Sequence, residues 1–253
     1  MNIIISPAKK ININNDDIVN ISMPSLLSKT YILYEKLKSL QYEDLKKILN
    51  CSDNIAKLNF ERYKYMNLEK NLSPAIISYE GIQYKYMSPN SFTYDEFEFA
   101  NNHLKILSGF YGILKPLDGI TPYRLEMQSK FNVDKYENLY DFWDDSIYKE
   151  LTKDSNIILN LASKEYSKCI EKYVTDNDTF ISCTFGSLKD NKIKVKATEA
   201  KMARGLMVRY ICSNSIKDID DIKGFSDMNF TYSSDLSTNN NFVFLRQNSS
   251  RFF

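Results

Sequence analysis

The chain has 253 residues and a formal net charge of +1, with 43% hydrophobic and 26% charged residues. This composition is ordinary for a globular protein with a sizeable core, and the near-zero charge gives no global basic field to hold nucleic acid or an anionic membrane. No stretch approaches the eighteen apolar residues of a membrane span. A single histidine, His103, argues against a metal site, and phosphate-binding and dinucleotide glycine motifs are absent, so we expect no cofactor.

The four cysteines are far apart and form no Cys-x-x-Cys pair. The apolar run in the first ten residues is too short for a secretory signal. Together these features predict reduced thiols in a cytoplasmic protein. Cys169, Cys183 and Cys212 have apolar neighbours, which favours buried, inert thiols over an oxidation sensor.

In the first half of the chain, the pattern begins with a short buried strand at Asn2–Ile5. Two helices are expected within residues 25–50, and a third from Asp53 to about Asn67. Residues 74–79 are strand-like, and Thr93 or Asp95 is expected to start a helix that reaches Leu107.

The second half continues with mixed elements. We expect a helix over residues 136–151, a buried strand at 156–161, a helix from Ser163 to Tyr173, a strand pair at 179–185 and 192–197, a helix capped by Thr198 that ends at Ser213, and strands at 230–232 and 242–246. Because helices and strands alternate irregularly without a linker or repeat, the sequence predicts one α/β domain over residues 1–253, with a mixed sheet and helices packed around it.

The glycines and prolines are concentrated in one segment. The chain has only seven glycines and six prolines, yet residues 106–127 contain Gly109, Gly112, Gly119, Pro116 and Pro122. Glycine allows unusual backbone angles and close approach, and proline fixes φ. We therefore predict that this segment contributes to a site.

Arginine is rare beside lysine in this chain, so each arginine is a candidate for a planar, bidentate grip on phosphate or carboxylate. Arg124 lies in the Pro-Tyr-Arg-Leu-Glu-Met run of residues 122–127, and Arg204 follows Lys201 on one predicted helix face. The alternative is structural, with Arg124 paired to a buried Glu126.

Residues 189–209 are the most basic region of the chain. Lys192, Lys194 and Lys196 alternate with apolar residues, which places the three lysines on one strand face. Such a face beside Lys201 and Arg204 suits a phosphate backbone. An ordinary solvated surface is the alternative.

Two Ser/Lys turns follow predicted strands. Ser6 and Lys9 come after the first strand, and Ser163 and Lys164 stand where a later strand passes into a helix. Helix N-termini attract anions, although serine is also a common local cap. With the arginines, these turns predict a positively charged, anion-binding cleft.

Eight motifs together resemble one family. In chain order they are residues 5–9 (Ile-Ser-Pro-Ala-Lys), 107–112 (Leu-Ser-Gly-Phe-Tyr-Gly), 116–118 (Pro-Leu-Asp), 122–127 (Pro-Tyr-Arg-Leu-Glu-Met), 140–143 (Tyr-Asp-Phe-Trp), 160–166 (Asn-Leu-Ala-Ser-Lys-Glu-Tyr), 201–205 (Lys-Met-Ala-Arg-Gly) and 244–246 (Phe-Leu-Arg). The chain is similar, over residues 3–246, to the YaaA family of bacterial peroxide stress resistance proteins.

The resemblance implies a cytoplasmic protein that helps cells survive hydrogen peroxide by limiting iron-driven damage. It also implies a single α/β domain of unusual topology with a positively charged cleft, and DNA binding through an element likened to a helix-hairpin-helix. That element maps to the helix expected to end at Leu107 and the turn at residues 108–112. In the usual hairpin the glycines are two apart, whereas Gly109 and Gly112 are three apart.

Two functions follow from these residues. In the first, a non-enzymatic protein holds the phosphates of duplex or branched DNA with Ser108, Gly109, Gly112, Lys115, Tyr123, Arg124, Lys201 and Arg204. In the second, an enzyme acts on a phosphorylated or nucleotide-like small anion in the same cleft, which is lined by Ser6, Lys9, Tyr123, Arg124, Ser163, Lys164, Lys201 and Arg204. Glu126 would be its general base, with Lys9 or Lys201 as electrostatic stabilisers. A deep closed pocket favours the enzyme, and an open groove favours DNA.

Overall fold

A computed structural model describes residues 1–13 and 21–247 of the chain; the rest of the predicted domain extent, residues 14–20 and 248–253, lies outside the described residues. The strands are β1 (Asn2–Ile5), β2 (Lys10–Ile11), β3 (Ser73–Pro74), β4 (Tyr79–Glu80), β5 (Leu104–Ser108), β6 (Gly112–Leu114), β7 (Gly119–Ile120), β8 (Ile157–Leu161), β9 (Thr179–Lys189), β10 (Lys192–Lys194), β11 (Phe230–Tyr232) and β12 (Asn241–Arg246).

The helices surround the strands as the α/β prediction requires. They are α1 (Leu27–Lys38), α2 (Tyr42–Leu49), α3 (Asp53–Tyr65), α4 (Ala75–Ser78), α5 (Ile82–Met87), α6 (Tyr94–His103), α7 (Leu139–Trp143), α8 (Ser146–Leu151), α9 (Lys164–Glu171) and α10 (Ala197–Ser213), with short 3-10 turns at Pro89–Ser91, Ile219–Gly224, Asp227–Asn229 and Ser234–Leu236. No helix in the described ranges is both long and apolar enough to cross a membrane.

One mixed, eight-stranded sheet organises the domain, in the order β11-β12-β9-β8-β1-β5-β6, with β10 paired to β9. Strands β12, β9, β8, β1 and β5 are parallel, whereas β11 and β6 run antiparallel at the two edges. Two small pairs, β2–β4 and β3–β7, lie outside this sheet. The fold class predicted from the sequence is thereby confirmed.

Strand β1 lies at the centre of the sheet, between β5 and β8. Every one of its residues is buried, as expected for a parallel strand covered on both faces. The chain leaves β1 for β5 on one side and later enters β8 on the other. In open α/β sheets, ligands bind beyond the carboxyl ends of the strands at such a switch point.

Most predicted helices are confirmed, and one start is confirmed in atomic detail. Helix α6 begins with a capping box, in which the Glu96 N–H donates to Thr93 Oγ1 and the Thr93 N–H donates to Glu96 Oε2. Helix α10 starts at Ala197 with Lys196 as its N-cap, so the cap predicted at Thr198 was wrong. The single helix expected over residues 136–151 is divided at Asp144, whose φ is 49°.

Two apolar runs were misassigned because periodicity alone does not separate a short buried strand from a helix. The run predicted as a strand at residues 74–79 contains α4, with only two-residue strands on either side. The helix predicted to reach Leu107 ends at His103, and Leu104–Ser108 forms β5 instead. Pairing of β5 with the central strand β1 explains this change.

The glycine-rich segment is therefore a β-hairpin, β5–β6, and not a helix-hairpin-helix. A Cβ on Gly109 would lie 2.6 Å from the Leu125 carbonyl oxygen, so glycine is needed for the close approach of the following segment. The Trp143 indole N–H donates to the Gly109 carbonyl at 3.0 Å. This hairpin supports the core, in which Phe110 and Tyr111 are fully buried.

Candidate functional site

A cavity of about 350 Å³, which we call the central pocket, lies beyond the carboxyl ends of β1 and β8. Its walls are the loop after β1 (residues 6–10), the start of α5 with the residues before it (80–84), the extended segment 123–126, the start of α9 (Ser163, Glu165, Tyr166), and Lys201 and Arg204 of α10. The pocket thus stands at the switch point of the sheet.

The extended segment 121–127 presents charged side chains to the pocket by simple alternation. Tyr123, Leu125 and Met127 are buried, whereas Arg124 and Glu126 are only partly buried. Arg124 Nη2 donates to Glu126 Oε1 at 3.0 Å, and Lys9 Nζ lies 2.9 Å from Glu126 Oε2. Because both carboxylate oxygens are engaged, Glu126 orients the two cations. The fold therefore contains the pairing of Arg124 with Glu126 that the sequence analysis gave as the structural alternative.

Three residues that line this pocket carry unpartnered hydrogen-bond donors. Five buried side-chain N or O atoms of the described residues have no hydrogen-bond partner, and three of them belong to pocket residues: Gln83 Nε2, Arg124 Nε and Arg204 Nε. All three are N–H donors. A buried polar group without a partner costs about 1–3 kcal/mol. The pocket therefore lacks acceptors, which an anion would supply.

Arg204 is the most exceptional of these residues. Within residues 1–13 and 21–247 its guanidinium makes no ion pair and no hydrogen bond, and burial lowers the pKa of this group from its usual value. An unpaired cation out of water is expensive unless a counter-charge arrives. Arg124, by contrast, already has Glu126.

Glu165 is a titratable pocket residue that the sequence did not single out. Burial, followed by the nearby Glu126 carboxylate, raises the pKa of this carboxyl above its ordinary value. Its Oε1 accepts a long bond, 3.4 Å, from the Gln128 N–H. A carboxyl with a raised pKa can hold and deliver a proton at higher pH than an exposed one. Its position in the 160–166 motif was the available signal.

The two predicted Ser/Lys turns meet at one edge of the pocket. The Ser163 N–H donates to Ser6 Oγ at 2.8 Å, Ser6 Oγ donates to Ser163 Oγ at 3.2 Å, and the Tyr84 hydroxyl donates to the Ser6 carbonyl. Ser163 occupies the N-cap of α9 as predicted, but its side chain accepts no helix N–H. The hydroxyls therefore lock the turns together.

Lys9 and Lys201 lie exposed at the pocket rim. The lining as a whole contains five basic residues (Lys9, Lys10, Arg124, Lys201, Arg204) and three acidic ones (Glu80, Glu126, Glu165). Lys10 Nζ pairs with Glu80 at 2.7 Å. Tyr123 also lines the pocket, but its hydroxyl lies 2.6 Å from both the Tyr79 hydroxyl and Ser108 Oγ, and burial raises the pKa of Tyr123 to about 12.

Several predicted phosphate ligands are elsewhere in the fold. Ser108, Gly109 and Gly112 are buried in the β5–β6 hairpin and lie outside the lining of the central pocket. Lys115 is exposed but outside the lining of the pocket. Lys164 pairs with Glu171 and lines a neighbouring groove instead.

Three of the four cysteine thiols are buried. Burial raises the pKa of Cys169, Cys183 and Cys212 to about 12 in each case, so little reactive thiolate exists at neutral pH. Their predicted burial is confirmed. Across residues 1–13 and 21–247, no group of three or more His, Cys, Asp or Glu side chains is arranged to hold a metal ion.

The fold and pocket define a mixed α/β protein with a small, arginine-lined pocket at the switch point of its sheet. A family model described as "Peroxide stress protein YaaA" matches residues 1–236, and the chain belongs to this family. Curated relatives match this chain over nearly its whole length and theirs. UPF0246 proteins of Desulfitobacterium hafniense and Agathobacter rectalis are 52% and 48% identical over 246 and 247 residues, covering 97% and 98% of this chain and 98% and 99% of their own.

Proposed function

We propose that this member of the peroxide stress family acts in the cytoplasm on a phosphorylated or nucleotide-like small anion held in the central pocket. The observation that carries the proposal is that three pocket residues, Gln83, Arg124 and Arg204, each have a buried, unpartnered N–H donor. The unpaired state of all four cysteines supports the reducing compartment.

A phosphate or carboxylate group would satisfy these donors. Guanidinium groups bind such oxyanions through two parallel N–H bonds, and a Gln amide adds a neutral donor. The cavity volume of about 350 Å³ is that of a small-ligand site. An arriving anion would also give Arg204 the counter-charge that the described chain does not provide.

The same pocket holds groups for acid–base chemistry. Glu165, with its raised pKa, would serve as the general acid. Lys9, held by Glu126, and Lys201 at the rim would stabilise negative charge that develops on the substrate. This assignment replaces Glu126 as the proton-transfer residue, because both of its oxygens are already engaged.

Inorganic phosphate tests the anion site. We expect phosphate to raise the melting temperature of the protein above that in sodium chloride of equal ionic strength, and Arg204→Met to abolish the increment. Arg62→Met is the matched control, because Arg62 is also a partly buried helical arginine without an ion pair among the described residues, outside the pocket. Equal increments in all three proteins would refute the proposal.

DNA binding is the second candidate, favoured by a different surface. Lys189, Lys192 and Lys194 are exposed on the β9–β10 hairpin, next to Lys196. Fluorescence anisotropy with duplex and branched DNA would show affinity falling steeply with salt. Lys192→Glu with Lys194→Glu would remove that binding, and Arg204→Met would not.

The activity of the pocket or the binding of DNA would be the means by which the protein limits iron-driven damage during peroxide stress. Survival of a deletion strain that carries each variant, after exposure to peroxide, would show which of the two is required.

A further inference from the structure

A second, larger depression adjoins the central pocket. This sheet-face groove has a volume of about 1350 Å³ and lies over β8, β9 and β12, beside α9 and the 238–241 loop. Arg204 lines both cavities, and Ala162 and Lys164 of the groove flank Ser163 of the pocket. A ligand bound at Arg204 can therefore extend into either space.

The floor of the groove is a polar row in the middle of the sheet. Asn160, Ser182 and Asn241 are in register across β8, β9 and β12. Asn160 Nδ2 donates to Ser182 Oγ at 3.0 Å, and Thr184 Oγ1 donates to Asn241 Oδ1 at 2.9 Å. Residues in register on neighbouring strands project from the same face, so these side chains form one continuous polar surface.

Such a surface is unusual for central parallel strands, which are normally covered by helices and apolar on both faces. In β9 the residues Ile181, Cys183 and Phe185 are buried, as this rule requires, but Ser182 and Thr184 on the other face are only partly buried. No core packing explains hydroxyl and amide groups at these positions. They are suited to a polar ligand.

The groove has an unpartnered acceptor as well as an unpartnered donor among its lining residues. The donor is Arg204 Nε, which belongs to both cavities, and the acceptor is Asp178 Oδ1, which belongs to the groove and not to the central pocket. Its neighbour Oδ2 already accepts from the Tyr148 and Thr175 hydroxyls. Asn, Ser and Thr side chains both donate and accept. The groove thus matches hydroxyl groups, which also do both.

From this juxtaposition we infer that the ligand is a sugar phosphate, with its phosphate at Arg124 and Arg204 and its sugar hydroxyls on the Asn160–Ser182–Thr184–Asn241 row. The inference rests on the proposed function of the central pocket and names its substrate class. A ribose or hexose phosphate carries both chemistries. Among the described residues, Phe180 is the single aromatic residue in the groove lining, so this part of the chain provides no aromatic pair to enclose a base.

Isothermal titration calorimetry with inorganic phosphate, ribose 5-phosphate and free ribose tests the inference. We expect ribose 5-phosphate to bind at least tenfold more tightly than inorganic phosphate. Ser182→Ala combined with Thr184→Val would remove that advantage and leave the phosphate affinity unchanged, because these residues lie outside the central pocket. Thr231→Val is the matched control, a partly buried strand threonine outside the groove.

The outcomes separate the two proposals. If phosphate binds and ribose 5-phosphate binds no more tightly, the sugar inference is wrong and the anion pocket stands. If neither ligand binds, the proposed function fails as well. Loss of phosphate binding in the Ser182/Thr184 variant would contradict a separate hydroxyl subsite. AMP is a further ligand for the same titration. If AMP binds at least as tightly as ribose 5-phosphate, the sugar phosphate is part of a nucleotide; if ribose 5-phosphate binds more tightly, the ligand is a free sugar phosphate. Both results support the inference.

Discussion

The β5–β6 hairpin and the wall of the central pocket both contain buried polar groups, but only the hairpin satisfies them internally. Ser108 Oγ accepts from the Phe110 and Tyr111 N–H groups and bonds Tyr123. The pocket wall leaves Gln83, Arg124 and Arg204 each with an unpartnered donor. Both regions are rich in motif residues, so the number of motif residues does not distinguish a structural region from a functional one. The two regions are distinguished by whether each buried hydrogen-bonding group has a partner within the protein.

The comparison predicts large stability losses for changes to the hairpin. Gly109→Val places a side chain against the Leu125 carbonyl, which would be 2.6 Å from its Cβ. We expect a loss of about 3 kcal/mol in the free energy of unfolding, measured by urea denaturation. Unchanged stability would show that residues 125–127 move away without cost, and would remove the structural role assigned to this glycine.

In the pocket wall, removal of an unpaired charge should not lower the free energy of unfolding, in contrast to changes in the hairpin. Arg204→Met removes a partly buried cation that lacks a partner in the described chain, so the free energy of unfolding should stay equal or rise by up to about 2 kcal/mol. Arg124→Met breaks the pair with Glu126 and should lower it by about 1–2 kcal/mol. Equal losses in both variants, by urea denaturation in phosphate-free buffer, would contradict the distinction.

A single hydroxyl in the satisfied network gives a smaller effect. Tyr123→Phe removes the group 2.6 Å from both the Tyr79 hydroxyl and Ser108 Oγ. We expect a loss of about 1 kcal/mol, because the buried partners lose a bond. Tyr65→Phe is the control, since Tyr65 is 71% exposed. An unchanged free energy of unfolding in Tyr123→Phe would mean that the network adds no stability.

The smallest effect should depend on pH. Because the pKa of Glu165 is raised in the folded state, the native protein binds this proton more tightly than the unfolded chain. Stability from this group is therefore retained below the unfolded pKa and lost as pH rises through the folded pKa. Glu165→Gln should gain stability relative to the wild type across that interval, measured by urea midpoints from pH 4 to 8. The exposed Glu61→Gln should show no such trend.

The sequence predicted those parts of the fold that local patterns determine. The apolar strands β1 and β8, the helices α1 to α3 and the Thr93 cap follow from periodicity and capping. The β5 strand did not, because its structure depends on pairing with a strand about a hundred residues earlier. Tertiary pairing outweighs a local helical pattern in such cases.

For a similar reason, only part of the candidate site could be predicted from the sequence. Arginine and lysine are conspicuous in a sequence, so Arg124, Arg204 and Lys9 were found. Gln83 was missed because it stands in no charged motif. It reaches the pocket because Gly205 of α10 leaves room for the α5 backbone: a Cβ there would collide with the Gln83 carbonyl. Only the packing of the two helices reveals this.

The central place of β1 has a consequence for the order in which the fold can form. The two neighbours of this strand are residues 104–108 and 157–161, which lie far along the chain, and Arg204 of α10 lies further along still. An apolar segment must therefore remain unpaired until these distant segments reach it. Such long-range pairing slows folding and exposes the chain to aggregation, so the pocket forms only after the slowest contacts of the sheet have been made.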